Sequence, residues 1–324
     1  MSDRTYFIVG GAGFIGSHFT DSLLSDATVS QVTIYDNFSS GREWHFAQHL
    51  QDPRFHVIRG DVKDQDLLSR SMAGHRTVIH LASNPDIAKA ATDPDIDFRE
   101  GTDLTRHVVE AMRVSGAKMI LYASGSGIYG DLGTYDAHED YGPLEPVSTY
   151  GASKLAGEVL IAAYAHMFDL AGRVFRFGNV VGPRQTHGVG FDFLKQLLAN
   201  PGRLRILGDG TQSKSYIHVS DVVNAVLMVG GAPLGPFAVF NAATGDYITV
   251  AEIADLAVEC AGLAPKSVAF DYTGGSKGWK GDVPVVRLNT DRIRKLGWRC
   301  GRSSREALRD AMLAMLPEFR AGRL

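Results

Sequence analysis

The chain has 324 residues, of which 44% are hydrophobic, and a formal net charge of −3 at pH 7. This length and composition predict one large core or two unequal ones. The slightly acidic balance argues against a basic nucleic-acid-binding surface and favours a small soluble partner. The two cysteines, Cys260 and Cys300, fit neither a disulfide framework nor a zinc site, and we expect no metal.

The hydropathy pattern favours a cytoplasmic protein. A signal-peptide pattern does not precede the first apolar run, at residues 6–9, and we find no apolar stretch long enough to span a bilayer. We therefore expect a cytoplasmic location without binding to membranes or nucleic acid.

A strand, a glycine-rich turn and a helix follow one another at the start of the chain. The apolar run at residues 6–9 leads into Gly10, Gly13 and Gly16, and a helical pattern continues through Leu24. In this context glycines permit a tight turn and close backbone approach, so that amides at the helix start face a pyrophosphate. The sequence therefore predicts a dinucleotide-binding turn.

The residue that ends the second predicted strand indicates which dinucleotide binds. The strand at residues 32–35 ends at Asp36, about twenty residues after Gly16, where an acid is expected to meet the adenine ribose hydroxyls. A carboxylate there accepts a hydrogen bond from the 2′-hydroxyl and repels a 2′-phosphate, which favours NAD over NADP. Arg42 can in principle hold a phosphate, but we interpret it as a solvated loop residue while Asp36 is present.

Strand and helix patterns alternate through the first half of the chain. Further strands are predicted at residues 55–58, 77–80, 119–122 and 173–176. This alternation predicts an α/β fold with a Rossmann-type, doubly wound parallel sheet that binds ligands at the carboxyl ends of its strands. The residues after two of these strand ends, expected near adenine or the middle of the cofactor, are Asp61, Val62, Leu81, Ala82 and Ser83.

Tyr150 and Lys154 form the strongest catalytic candidate. Four residues apart on a predicted helix, they share one face and can both point into the crevice. A free tyrosine has a pKa near ~10, and lowering that pKa to about 7 requires roughly 4 kcal/mol. A solvated ion pair supplies only about 0–1 kcal/mol. Lys154 must therefore be partly shielded from water, and we expect the positive charge of oxidised nicotinamide to add to it.

The order and spacing of these motifs resemble the extended short-chain dehydrogenase/reductase family, in its nucleotide-sugar epimerase and dehydratase branch. The resemblance covers nearly the whole chain and includes GNVVGPR at residues 178–184 and LGDGT at residues 207–211. It implies NAD as the cofactor and a UDP-sugar as the substrate. The further cofactor contacts that it implies are Phe14, Ile15, Asn37, Ser39 and Gly41, beside Tyr150 and Lys154.

The same resemblance implies the domain organisation. We expect an NAD-binding domain at residues 1–176 and a smaller C-terminal α/β substrate domain at residues 177–324, with residues 215–245 packing back on the first domain. A homodimer is implied through the Tyr150 helix and the helix around residues 102–113.

Two positions depart from the family pattern. The family places a serine or threonine four residues before the tyrosine of the Tyr-Gly motif at residues 129–130, and this chain has Gly125 there. Ser124 and Ser126 flank it, and we prefer Ser126 as the third catalytic residue, unless that role is empty. Phe98 stands where many relatives have an asparagine, so whatever that asparagine orders is absent or replaced. These two departures are the features in favour of an alternative from a different class, a non-catalytic, NAD-binding regulatory module with a decayed site.

Two missing acids indicate the reaction. Members of this branch all begin with proton transfer to the tyrosine and hydride transfer to NAD. The resemblance implies, for 4,6-dehydratases, an Asp-Glu pair three and two positions before the tyrosine of the Tyr-Gly motif, because elimination needs a positioned acid and base. This chain has Ser126 and Gly127 there, and neither titrates. We therefore predict a 4-epimerase, in which hydride returns to the other face of the 4-keto sugar.

The family pattern also suggests how the sugar nucleotide is held. Asn179 matches an asparagine at the edge of the substrate site, and Lys214 and Lys277 stand near positions where relatives place arginines on the diphosphate. Arg184 suits the carboxylate of UDP-glucuronate, our leading substrate, although it can equally hold the loop or a phosphate. UDP-glucose/UDP-galactose is the alternative. The predicted substrate contacts are Ser124, Gly125, Ser126, Tyr150, Asn179, Arg184, Val189, Phe193, Lys214 and Lys277.

The remaining pattern of the second half is mostly helical. Helices are predicted at residues 189–198, 250–260, 290–296 and 303–316, and a strand at residues 204–207. Phe191 and Phe193 can each either pack in the core or contact the substrate, and the sequence favours neither role.

Overall fold

The computed structural model describes residues 4–84 and 86–324, which form two compact units. The first unit contains the described residues up to Ile128 together with Thr149–Arg176 and Val223–Phe240. The second unit contains Tyr129–Ser148, Phe177–Val222 and Asn241–Leu324. Each unit is therefore assembled from more than one segment of the chain.

The helices and strands follow the order expected of an α/β protein. The first elements are β1 (Arg4–Val9), α1 (Phe14–Ser25), β2 (Val29–Asp36), β3 (Phe55–Arg59), α2 (Gln65–Met72), β4 (Thr77–His80), α3 (Asp103–Ser115), β5 (Met119–Gly125), α4 (Thr149–Met167), β6 (Ala171–Phe177) and β7 (Asn179–Val181). The later elements are α5 (Val189–Ala199), β8 (Arg203–Ile206), β9 (Ser213–Lys214), β10 (Tyr216–His218), α6 (Val219–Gly230), β11 (Phe237–Ala242), β12 (Ile248–Thr249), α7 (Val250–Cys260), β13 (Ala269–Tyr272), α8 (Asp291–Lys295) and α9 (Ser304–Arg320). A π-helical turn, Phe98–Thr102, runs directly into α3.

The first unit is built on one large sheet. Among the described residues, seven strands form it in the order β11-β6-β5-β4-β1-β2-β3. The four pairs from β3 through β2, β1 and β4 to β5 are parallel. The strand order reverses between β1 and β4, which is the switch point where doubly wound sheets bind ligands. The predicted Rossmann-type α/β fold is confirmed.

The strand register brings the predicted cofactor residues to one edge of this sheet. Val9 pairs with both Tyr35 and His80, and His80 pairs with Tyr122. Four strands thus reach the same level at their carboxyl ends. The residues that follow these four positions are Gly10, Asp36, Leu81 and Ala123.

Apolar side chains from the sheet and from α2, α3 and α4 form the core of the first unit. Phe7, Val78 and Val174 are fully buried in it, together with Met72 and Val108 from the helices. Burying a side chain of this size contributes about 1.5–3 kcal/mol, so this core fixes the sheet edge that carries the candidate site.

The second unit has a core of its own. Leu194 of α5, Leu204 of β8, Leu256 of α7 and Met312 of α9 are all fully buried in it. Helices α7 and α9 each begin with a capping box, which defines their first residues. Among the helices within residues 4–84 and 86–324, none has the length and apolar character needed to cross a membrane.

Candidate active site

The turn between β1 and α1 has the geometry that a dinucleotide requires. Gly10 has a φ of 80°, and a Cβ there would lie 2.7 Å from the backbone nitrogen of Ala82. The amides of Leu81 and Ala82 both donate to the Val9 carbonyl, at 2.9 and 3.1 Å, and tie the ends of β1 and β4 together. Gly13 is the N-cap of α1. Because glycine has no side chain, it forms no capping hydrogen bond with the first-turn amides of this helix. These amides suit a pyrophosphate, so the turn fits NAD.

Asp36 links the loop after β2 to the glycine turn. Its Oδ2 accepts a hydrogen bond from the Ala12 amide at 2.9 Å, and its Oδ1 accepts one from the Phe38 amide at 2.7 Å. Burial raises the pKa of Asp36 above its ordinary value, while the two amides and the charge of Arg59 oppose this rise. Because each carboxylate oxygen can accept a second hydrogen bond, the carboxylate also fits a ribose diol.

The other predicted cofactor residues lie on the same side of the sheet or in its core. The Asn37 side chain accepts the Ser39 amide at 3.0 Å and shapes the loop after β2. Asp61 is exposed, whereas Val62 is buried in the core, so Val62 can offer a ligand only its backbone. Phe14, Ile15 and Gly16 lie in the first turn of α1, and Gly41 lies in the loop after β2.

Replacement of Asp36 by asparagine is expected to weaken NAD binding about tenfold and to narrow the preference for NAD over NADP. The amide removes the charge that strengthens hydrogen bonds to the ribose, and such bonds contribute about 1.5–3 kcal/mol. Titration calorimetry with both dinucleotides measures the two affinities. Asp66→Asn, at an exposed position on α2, is the matched control; an unchanged ratio of the two affinities in Asp36→Asn would remove the proposed role of Asp36.

Helix α4 places Tyr150 and Lys154 on one face. Lys154 is only 4% exposed, and its Nζ donates to the Ala123 carbonyl at 2.9 Å. The same Nζ lies 5.6 Å from the centroid of the Tyr150 ring. Lys154 is therefore shielded from water, which is the condition under which its charge can act on the tyrosine.

Burial acts in opposite directions on the two pKa values. It raises the pKa of Tyr150 to about 12, while a hydrogen bond with Ser83 opposes this rise and the charge of Asp97 adds to it. It lowers the pKa of Lys154 to about 8, against the charges of Glu158 and Asp97. Tyr150 alone is thus a neutral phenol at pH 7, and more positive charge beside it is needed to make it a base.

The two serines that flank Gly125 differ in their surroundings. The Ser124 hydroxyl is buried and donates to Glu158 Oε1 at 2.5 Å. Glu158 also forms a buried ion pair with Arg176, whose Nη2 lies 2.7 Å from Oε2. Ser126 is partly exposed at the start of a short 3-10 turn. Because the Ser124 hydroxyl is already bonded to Glu158, Ser126 stays our candidate for the third catalytic residue.

Three predicted substrate residues lie in or beside α5 of the second unit. Phe193 is 4% exposed and belongs to the core, and Val189 packs against that core. This burial favours core packing over substrate contact for Phe193. Arg184 is partly buried in a left-handed conformation with a φ of 66°, an uncommon geometry for a non-glycine residue that often marks a functional site. Asn179, in β7, is exposed.

The two predicted diphosphate-binding lysines of the second unit have carboxylate partners. Lys214 Nζ lies 2.6 Å from Asp282 Oδ1, and the other oxygen of this buried carboxylate accepts the Gly278 amide. Lys277 Nζ lies 3.9 Å from Asp131. Each ammonium carries three donors, so an ion pair still leaves donors for a second anion.

Sequence reasoning missed three charged residues near Tyr150 and Lys154, which are Asp97, Glu158 and Arg176. Glu158 continues the spacing of Tyr150 and Lys154 along one face of α4, and this spacing was a usable signal. Arg176 and Asp97 carried no such signal, because only the fold brings them to α4.

Comparison with known proteins identifies the family. The NAD dependent epimerase/dehydratase family matches residues 6–243. The chain belongs to this family. The predicted membership of the extended short-chain dehydrogenase/reductase group is thereby confirmed, and NAD is the cofactor. The protein is an enzyme of this family.

Relatives within the family catalyse different reactions. The chain is 34% identical over 300 residues to UDP-glucose 4-epimerase of Mycolicibacterium smegmatis, covering 90% of this chain and 92% of the relative. It is 30% identical over 270 residues to dTDP-glucose 4,6-dehydratase of an Actinoplanes species, covering 81% of this chain and 83% of the relative. The structure of MoeE5 in complex with UDP-glucose and NAD superposes with a TM-score of 0.84 at 28% identity, covering 97% and 99% of the two chains; MoeE5 also has a complex with UDP-glucuronic acid and NAD.

Proposed function

We propose that the protein is a UDP-sugar 4-epimerase that acts by transient oxidation at C4, with UDP-glucose and UDP-galactose as its substrates. One observation carries the proposal: the chain retains the Tyr150 and Lys154 pair, with Nζ 5.6 Å from the tyrosine ring, but has Ser126 and Gly127 where elimination would need an acid and a base. Without those groups, the keto sugar has no positioned catalyst for loss of water. Return of hydride to C4 is the remaining outcome.

In this mechanism Tyr150 accepts the proton of the C4 hydroxyl and later returns a proton to the C4 oxygen. Lys154 keeps a positive charge beside the phenolate, and its bond to Ala123 holds the ammonium in place. Ser126 donates a hydrogen bond to the C4 oxygen and steadies it during both transfers. When bound, NAD would supply a reversible hydride acceptor for C4. Gly10, the first-turn amides of α1 and Asp36 would hold it.

The proposed role of Lys154 makes activity depend on pH near 8. Burial lowers the pKa of Lys154 to about 8, so the charged fraction falls as the pH rises through this value. We therefore expect kcat/KM to decline above about pH 8. Lys154→Arg keeps its charge at high pH and is expected to lose this decline, although with lower activity. A pH profile of both proteins checks this; the same decline in Lys154→Arg would assign it to another group.

The comparisons support the neutral hexose more directly than the uronate. The Mycolicibacterium smegmatis relative is a UDP-glucose 4-epimerase, and for this reason we place UDP-glucose before UDP-glucuronate, the leading substrate from sequence. UDP-glucuronate is the second candidate because the strained Arg184 offers a guanidinium suited to a carboxylate. MoeE5 forms complexes with both UDP-glucose and UDP-glucuronic acid, which supports UDP-glucuronate as the second candidate substrate.

Separate incubation of the purified protein with UDP-glucose, UDP-glucuronate and UDP-N-acetylglucosamine tests this assignment. We expect UDP-galactose from UDP-glucose without added reductant, at the highest kcat/KM of the three. A higher kcat/KM with UDP-glucuronate would select the second candidate. Tight NAD binding with no turnover of any sugar nucleotide would instead support the regulatory module.

We also propose that the enzyme is a homodimer formed through α3 and α4. Val114 of α3 and Val159 of α4 are 59% and 61% exposed, which leaves apolar surface on the two helices implied by the family. The oligomeric state stays a prediction.

A further inference from the structure

A buried carboxylate lies next to the start of the helix that carries Tyr150. Asp97 is 1% exposed and immediately precedes the π-helical turn before α3. Its Oδ1 accepts a hydrogen bond from Asn84 Nδ2 at 2.8 Å, and its Oδ2 accepts one from Thr149 Oγ1 at 2.7 Å. Asn84 lies in the loop after β4, and Thr149 is the first residue of α4. Asp97 therefore connects this loop to the first turn of the Tyr150 helix.

The same segment contacts α4 again one turn later. A Cβ on Gly101 would lie 2.0 Å from Ser153 Oγ, so the backbone at this position packs directly against the helix. Thr149 and Ser153 immediately precede Tyr150 and Lys154. Asp97 and Gly101, four residues apart, thus contact Thr149 and Ser153, which are four residues apart on α4. This arrangement fixes both the rotation and the axial position of the helix.

We propose that Asp97 is a positioning residue of the reaction, which holds the first turn of α4 and places a fixed negative charge beside Tyr150 and Lys154. The proposal rests on the proposed epimerase function of this site. The neighbouring Phe98, at the family's asparagine position, is 58% exposed. The buried contact to α4 is therefore made by Asp97.

The charge of Asp97 acts on both catalytic groups, since it raises the pKa of Tyr150 and of Lys154. Within the described part of the chain, the titratable groups that act on this pair or contact it also include His80 of β4, Tyr122 of β5 and Glu158 of α4. Burial lowers the pKa of His80 to about 3 and raises that of Tyr122, so both are neutral at pH 7. Glu158 is paired with Arg176. Asp97 is instead held by the neutral side chains of Asn84 and Thr149, and its charge acts on both Tyr150 and Lys154.

Two substitutions separate the charge of Asp97 from its hydrogen bond. Asp97→Asn removes the charge, but its amide can accept from Asn84 and donate to Thr149, whose hydroxyl can act as the acceptor. Thr149→Val keeps the charge and removes the hydrogen bond at an exposed position that tolerates change, and Thr149→Ser restores the hydroxyl.

The charge is tested by titrating Tyr150 in the NAD-loaded protein. The phenolate absorbance at 295 nm is measured against a Tyr150→Phe version of each variant, so that the difference reports Tyr150 alone. In Asp97→Asn we expect the pKa of Tyr150 to fall by about 0.5–1 unit and the whole pH profile of kcat/KM to move to lower pH. An unchanged titration in Asp97→Asn would overturn the role of the charge. The titration uses no sugar, so a wrong substrate assignment leaves this result intact.

The hydrogen bond is tested by turnover. Thr149→Val is expected to lower kcat about tenfold without moving the pH profile, and Thr149→Ser to recover most of the loss. This pair also keeps the proposal testable if Asp97→Asn does not fold. Parental kcat in Thr149→Val would overturn the positioning role. Loss of turnover in the parent protein on every UDP-sugar would count against the proposed function instead.

Discussion

Tyr150→Phe is expected to lower kcat by about 10³-fold while leaving NAD affinity nearly unchanged. The phenylalanine keeps an aromatic ring beside the Lys154 ammonium but cannot accept the C4 proton. General acid–base catalysis contributes roughly 10²–10⁴-fold in enzymes, and no described group beside Tyr150 is placed to replace it. Single-turnover measurement of UDP-galactose formation, together with calorimetric titration of NAD, distinguishes lost chemistry from lost binding.

A second tyrosine on the same helix provides the control. Tyr164 also lies on α4, and its hydroxyl donates to Glu110 Oε2 at 3.2 Å. Tyr164→Phe removes a hydroxyl of the same kind outside the site, so we expect its kcat to stay within about twofold of the parent. If Tyr150→Phe behaved like Tyr164→Phe, Tyr150 would not be the catalytic acid and base.

Glu158→Leu is expected to destabilise the protein by about 3–5 kcal/mol, because it leaves a buried guanidinium without its counter-charge. The side chains of Glu158 and Arg176 are each 5% exposed, and Ser124 donates to the same carboxylate. The substitution therefore removes the acceptor of both a charged and a neutral donor. Urea unfolding followed by circular dichroism measures the loss.

Two further variants test whether burial of the pair causes this effect. The double variant Glu158→Leu/Arg176→Leu removes both charges and is expected to recover most of the stability. Asp95→Ala breaks the exposed pair with Arg99, whose side chains are 63% and 45% exposed, and is expected to change stability by less than about 1 kcal/mol. Equal losses in Glu158→Leu and the double variant would show that lost packing, and not the unpaired charge, is responsible.

The parts of the fold and site that depend on local pattern could be predicted from the sequence. The apolar runs that end at Val9, Tyr35 and His80 are visible in the sequence, and the parallel register brings the residues that follow them to one edge of the sheet. Tyr150 and Lys154 were recognisable because helix geometry converts a spacing of four into a shared face. In each case, neighbours in the sequence are enough to define the feature.

The features that depend on distant contacts could not be predicted in this way. The hydrogen bond that holds Ser124 is accepted by Glu158, which lies 34 residues away in the sequence. Asp97 meets Thr149 across 52 residues, and nothing in the composition of either segment indicates that contact. The burial of Lys154 is likewise a property of the assembled core. Such pairings leave no periodic pattern, so the structure is needed to find them.

Conversion of UDP-[4-²H]glucose by the NAD-loaded protein, followed by NMR, tests the proposed reaction most directly. The hydride equivalent removed from C4 returns to C4 in an epimerase, so we predict UDP-galactose with deuterium at C4. A dehydratase would instead deliver the label to C6 of a 4-keto-6-deoxy sugar. Deuterium at C6, or no conversion at all, would contradict the proposal that this site is a UDP-glucose 4-epimerase.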